Sequence, residues 1–86
     1  MNVLYFTADW CQPCRMFKPV LQSVTSNLGI QVQMINVDSS PELVQRYSVT
    51  SVPTLIIEQG GIITYRSTGA MSKTQLEKTF ESIVGN

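Results

Sequence analysis

Eighty-six residues, 43% of them hydrophobic and 14% charged, suffice for one small folded domain and leave no room for a second core. Six basic residues cancel six acidic ones, which removes the cationic footprint of a nucleic-acid binder or of a protein drawn to anionic membranes. Histidine is absent, so imidazole ligand sets and Ser/His or Cys/His nucleophile pairs are excluded.

The chain reads as continuous secondary structure joined by short turns. Val3 to Phe6 is an uninterrupted apolar run, the pattern of a strand buried on both faces. From Cys11 to Leu28, Phe17, Val20 or Leu21, Val24 and Leu28 recur at helical spacing, with Pro13 tolerated in the first turn, Pro19 predicting a kink and Gly29 placed to end the helix. Gln31 to Val37 is a second strand. Ser40-Pro41-Glu42 has the form of an N-cap, a first-turn proline and a dipole-favoured acid, opening a short helix through Leu43, Val44 and Tyr47.

Leu55 to Glu58 and Ile62 to Arg66 are β-type runs separated by Gln59-Gly60-Gly61, a hairpin signal. Ser72 and Gln75 have capping-box spacing ahead of a last helix whose stripe is Leu76, Phe80, Ile83 and Val84. The order β-α-β-α-β-β-α makes the first two strands parallel and predicts a four-stranded mixed α/β sheet with helices on both faces, in a single domain over residues 1–86. No apolar run approaches the roughly 20 residues of a membrane helix. Met1-Asn2-Val3 does not open a secretory signal, which makes the cytoplasm the expected address.

Cys11-Gln12-Pro13-Cys14 follows the first strand and opens the first helix, the context in which a C-x-x-C points to redox chemistry. Unpaired N–H groups and the helix dipole favour a thiolate on Cys11, lowering its pKa from the free value of about 8.5. Cys11 is therefore the expected nucleophile. Cys14, one turn on and pointing further inward, is the expected resolving thiol, and Pro13 stiffens the loop between them. A structural zinc needs four ligands, which two cysteines without histidine do not supply within one chain, so no metal is expected. Structural cysteines and a metal shared between chains remain the alternatives.

Together Phe6-x-Ala8-x-Trp10-Cys11-Gln12-Pro13-Cys14, Asn36-Val37-Asp38 with Pro41, Val52-Pro53-Thr54 and Gly69-Ala70 resemble the thioredoxin family over nearly the whole chain. The resemblance is to a minimal member, near a glutaredoxin in size and without the extra N-terminal strand and helix most thioredoxins carry. It implies a thioredoxin-like fold and a protein-disulfide reductase. It also implies a cis Val52-Pro53 bond beside the dithiol and a shallow apolar groove of Trp10, Val52, Pro53, Gly69 and Ala70. Taken alone these residues have plainer roles: Trp10 as a half-buried packing residue, Pro53 as a strand-start proline, Gly69 as a turn glycine.

No bound cofactor is implied. Electrons would come from NADPH through a flavin-containing thioredoxin reductase, or from glutathione. Expected partners are disulfide-containing proteins and such a reductase, met by a monomer, with neither nucleic acid nor membrane among them. Two rival functions are a glutaredoxin-like reductase, disfavoured by the proline in the second spacer position and by the missing Gly-Gly-Asp after the hairpin, and a non-catalytic binding module. Three positions depart from the family pattern. Its buried aspartate and nearby lysine are replaced by Tyr5 and Met34, and its usual first spacer glycine by Gln12.

Overall fold

The computed structural model describes residues 1–85. Its elements are β1 (Asn2–Thr7), α1 (Gln12–Asn27), β2 (Val32–Asn36), α2 (Pro41–Arg46), β3 (Thr54–Gln59), β4 (Ile62–Thr68) and α3 (Lys73–Val84). The four strands form one sheet in the order β2-β1-β3-β4. β1 runs parallel to β2 and antiparallel to β3, and β3 pairs antiparallel with β4.

β1 is central and buried on both sides because its alternating residues serve two cores. Val3 and Tyr5 face a cluster with Phe17, Leu21 and Val24 of α1 and Leu76 and Phe80 of α3. Leu4 and Phe6 face the opposite cluster, which Ile35, Val49 and Ile56 complete and against which Leu43, Val44 and Tyr47 pack. Two helices thus cover one face and the short α2 the other. Side chains such as Leu76 and Phe80, fully buried, contribute about 1.5–3 kcal/mol each.

α1 continues through Pro19, whose missing N–H leaves the Arg15 carbonyl on the exposed side of the helix, where water can satisfy it. The helix ends in a Schellman motif: the Ile30 N–H reaches the Thr25 carbonyl at 2.8 Å, the Gly29 N–H reaches that of Ser26 at 3.2 Å, and Gly29 takes φ +69°. The hairpin turn is Gly60-Gly61, both at positive φ, as a two-residue turn matched to strand twist requires.

Ser40 holds the N-cap position of α2, but its side chain makes no capping bond. Its carbonyl instead accepts from the Leu43 and Val44 N–H groups. Ser72 does cap α3, accepting from the Gln75 N–H at 3.1 Å.

α2 also ends in a Schellman motif, which sequence did not signal because the left-handed position is Ser48, at φ +54°. The Val49 N–H bonds the Val44 carbonyl at 2.9 Å and the Ser48 N–H that of Gln45 at 3.2 Å. This turn delivers Val49 into the core and aims residues 50–53 toward the dithiol. A β-carbon is disfavoured at positive φ, so Ser48→Gly should stabilise the protein by about 1 kcal/mol, read as a higher urea midpoint at unchanged slope.

Candidate active site

The site forms where β1 gives way to α1. Ala8 is buried, and its carbonyl accepts from the Cys11 N–H at 3.2 Å, closing a turn that leaves Asp9 and Trp10 outward. Cys11 is the N-cap of α1, with extended backbone (φ −92°, ψ 106°). Its sulfur does what a capping serine oxygen does elsewhere, accepting from the Cys14 N–H at 3.2 Å. Gln12 and Pro13 occupy the first two helical positions and are exposed.

Cys11 and Cys14 form a disulfide, with Cα atoms 5.3 Å apart. Cys14 is wholly buried, whereas Cys11 is 5% exposed. Ala8 and the two cysteines make a small apolar cluster of their own, against which Val37 and Val52 pack. The Val52–Pro53 peptide bond is cis. The Thr54 hydroxyl donates to the Ser51 carbonyl at 2.6 Å across this bend, and the Gly69 N–H donates to the Pro53 carbonyl at 2.9 Å, with Gly69 at φ +87°.

Trp10 is 68% exposed rather than half-buried, because its ring lies over no core. Its indole Nε1–H donates to Asp38 Oδ2 at 2.9 Å, which ties the start of α1 to the end of β2. Beside it opens a groove of about 300 Å³ lined by Trp10, Val37, Val44, Val49, Thr50, Ser51 and Val52. Of the residues expected to form the apolar surface, Trp10 and Val52 line this groove. Pro53 and Gly69 are joined by their backbone bond, and exposed Ala70 follows Gly69. Sequence reasoning missed Val44, Val49, Thr50 and Ser51, and it noted Asp38 only as part of a strand-end pattern.

Behind the dithiol, Tyr5 is completely buried and its hydroxyl donates to the Cys14 carbonyl at 3.0 Å. Met34 is its partner on β2 and packs into the same core. Desolvation pushes the Tyr5 phenol up to about 12. In the unfolded chain a tyrosine ionises near pH 10. Tyr5 therefore contributes stability that is complete below pH 10 and is lost as pH rises toward about 12, because only the unfolded chain releases the proton in that window. Tyr47, also shifted upward by burial and by its bond to Glu58, adds in the same direction. Urea midpoints measured from pH 9 to 12 should fall steadily, and less steeply in Tyr5→Phe.

Among the described residues no group of three or more His, Cys, Asp or Glu side chains could hold a metal ion, and no helix is long and apolar enough to cross a membrane.

A C-x-x-C disulfide capping a helix that follows a central strand, with Val37 and Val52 packed against it, defines a protein built for dithiol–disulfide exchange. The thioredoxin family model matches residues 1–82. Thioredoxin of Rhodospirillum rubrum is 36% identical over 85 residues, covering 96% of this chain and 82% of that one. The bifunctional thioredoxin reductase/thioredoxin of Mycobacterium leprae is 39% identical over 83 residues, 94% of this chain but 18% of the larger protein. The structure of thioredoxin 1 from Thermosipho africanus superposes with a TM-score of 0.89 at 27% identity, covering 99% of this chain and 96% of that one. The chain belongs to the thioredoxin family. It is a thiol–disulfide oxidoreductase of the disulfide-reductase class, and neither the glutathione-dependent nor the non-catalytic reading is favoured.

Proposed function

We propose that residues 1–86 act as a single, monomeric domain that reduces protein disulfides, with Cys11 attacking and Cys14 resolving. The Cys11 thiolate attacks one sulfur of the substrate disulfide, forming a mixed disulfide and releasing the other substrate sulfur as a thiolate. Cys14, as thiolate, then attacks the Cys11 sulfur, forming the Cys11–Cys14 disulfide and releasing the second substrate thiolate. Two electrons have passed to the substrate. A flavin-containing thioredoxin reductase returns them from NADPH, and the cytoplasm is where that supply exists. The Mycobacterium leprae relative, whose name joins reductase and thioredoxin in one protein, supports this pairing.

In this reading Trp10, Val52, Pro53, Gly69 and Ala70 receive the substrate segment around Cys11, while Gln12 and Pro13 shape the loop. The observation that carries the assignment of roles is the contrast between the sulfurs. Cys11 Sγ takes a helix N-terminal N–H and has some exposure, whereas Cys14 has none. Brief alkylation of the reduced protein near neutral pH should label Cys11 at least about ten-fold faster than Cys14, as mass spectrometry of the peptides would show. Faster labelling of Cys14 would reverse the roles. A reduction potential near about −270 mV and NADPH consumption with a thioredoxin reductase would fit a reductant; a potential near about −120 mV would make the protein an oxidant instead.

A further inference from the structure

Cys14 is gripped at both ends of its backbone. Its N–H donates to Cys11 Sγ at 3.2 Å, and its carbonyl accepts from the Tyr5 hydroxyl at 3.0 Å. The second bond crosses from the central strand of the sheet to the first turn of α1. The turn is otherwise held by the Arg15 N–H, which bonds the Cys11 carbonyl at 3.2 Å, and by Val37 and Val52, which pack on the two cysteines. Gln12 and Pro13, its first two residues, are exposed, and Pro19 withdraws the donor that the Arg15 carbonyl would otherwise receive one turn later. Tyr5 itself is fully buried on β1 and packed on Phe17, with ring centroids 5.9 Å apart.

We infer that Tyr5 is a positioning residue for the thiol chemistry: its hydroxyl holds the Cys14 carbonyl, and so keeps the Cys14 N–H aimed at the sulfur of Cys11. A hydrogen bond to the ionised form of a group favours that form, so the aim of this N–H helps set how much Cys11 is thiolate. A phenol suits the task where a carboxylate does not. It stays protonated throughout the working pH range and can always donate to a carbonyl, while an ionised acid only accepts. Tyr5 touches no reacting sulfur in this role; it acts through the peptide backbone of Cys14. The inference rests on the reading of Cys11 as the attacking thiolate.

The test compares Cys14→Ser with Tyr5→Phe/Cys14→Ser, so that Cys11 is the one thiol present and residue 14 keeps its backbone N–H and carbonyl. The rate of iodoacetamide alkylation is followed from pH 5 to 9. Phenylalanine preserves the buried ring and removes the bond alone. The Tyr5→Phe change should raise the apparent Cys11 pKa by about half to one unit, a loss of about three- to ten-fold in thiolate at pH values below it. The amide proton of residue 14, now serine, should also move upfield in the double variant as its bond to the Cys11 sulfur weakens.

Phe80→Leu in the same background is the control. It disturbs the same core from α3 and leaves both the Tyr5 hydroxyl–carbonyl bond and the Tyr5–Phe17 ring contact, and it should lower Tm without moving the Cys11 profile. An unchanged profile in folded Tyr5→Phe overturns the inference, as does an equal shift in Phe80→Leu. Failure of the underlying reading looks different: Cys11 would then titrate like a free thiol, near about pH 8.5, with Tyr5 still in place.

Discussion

Cys14→Ser should turn the protein from a catalyst into a trap. Incubated in reduced form with a disulfide-containing protein, it is expected to accumulate a covalent adduct that survives non-reducing electrophoresis and disappears with added thiol. Catalytic turnover should meanwhile fall to background. The first exchange needs only Cys11, which keeps its place at the helix N-terminus and its acceptor bond from the residue 14 N–H. The second needs a sulfur at position 14, and a serine hydroxyl at neutral pH does not displace a thiolate from a disulfide. Burial completes the argument. Because Cys14 has no exposed surface, Cys11→Ser should show neither turnover nor adduct. An adduct on Cys11→Ser at a rate comparable with that on Cys14→Ser would show that substrate reaches the inner sulfur, and the assigned order of attack would fall.

Tyr5→Asp is expected to be the most damaging single substitution behind the dithiol. It deletes a fully buried ring from a cluster built of Val3, Phe17, Leu21, Leu55 and Phe80, and it places a carboxyl among apolar side chains. Loss of a buried aromatic alone costs about 3–5 kcal/mol, a large share of the 5–15 kcal/mol typical of a domain. The defect should depend on pH with a definite sign. Desolvation raises the folded-state pKa of the new carboxyl above about 3.9, so the folded form binds the proton more tightly than the unfolded one. Stability is then greatest in acid and is lost as pH rises through that folded-state value.

The sulfur chemistry should change in the same variant. A nearby carboxylate opposes the Cys11 thiolate and couples to it, raising its apparent pKa and splitting a single-step reactivity profile into two. The parent should show one step between pH 5 and 9, since Tyr5 is neutral there. Thermal melts at pH 4 and pH 8, with alkylation profiles, check both expectations. Two well-separated steps in the parent, unchanged in the variant, would mean that another acid near the dithiol governs it.

The elements were legible from sequence because each carries a strong period or a strong stop. Val3 to Phe6 has no polar interruption and lands in the middle of the sheet, and Gly29 and Gly60-Gly61 stand where positive φ is needed. The dithiol was legible because its chemistry depends on local features: a helix start, a spacing of three and a proline. The groove was not. Val37, Val44, Val49 and Val52 come from different segments and become neighbours only when α2 is turned back at Ser48, and serine is not a residue that advertises a left-handed turn. Trp10 misled for a similar reason. Its size argues for burial, but its hydrogen-bond partner Asp38 lies 28 residues away, beyond any local pattern. The donor role of Tyr5 was equally hidden, since substitution of an acid by a phenol says what is missing without saying what the hydroxyl meets.

None of the seven residues lining the groove beside Cys11 carries a formal charge, and the chain as a whole is neutral. What charge there is stands at the rim, where Asp38 holds the Trp10 indole and exposed Asp9 precedes it, so contact inside the groove is made through apolar surface and uncharged hydroxyls. Discrimination then falls to how long each encounter lasts. Clients that stay are the ones able to settle against valines and an indole long enough for two sulfurs to meet.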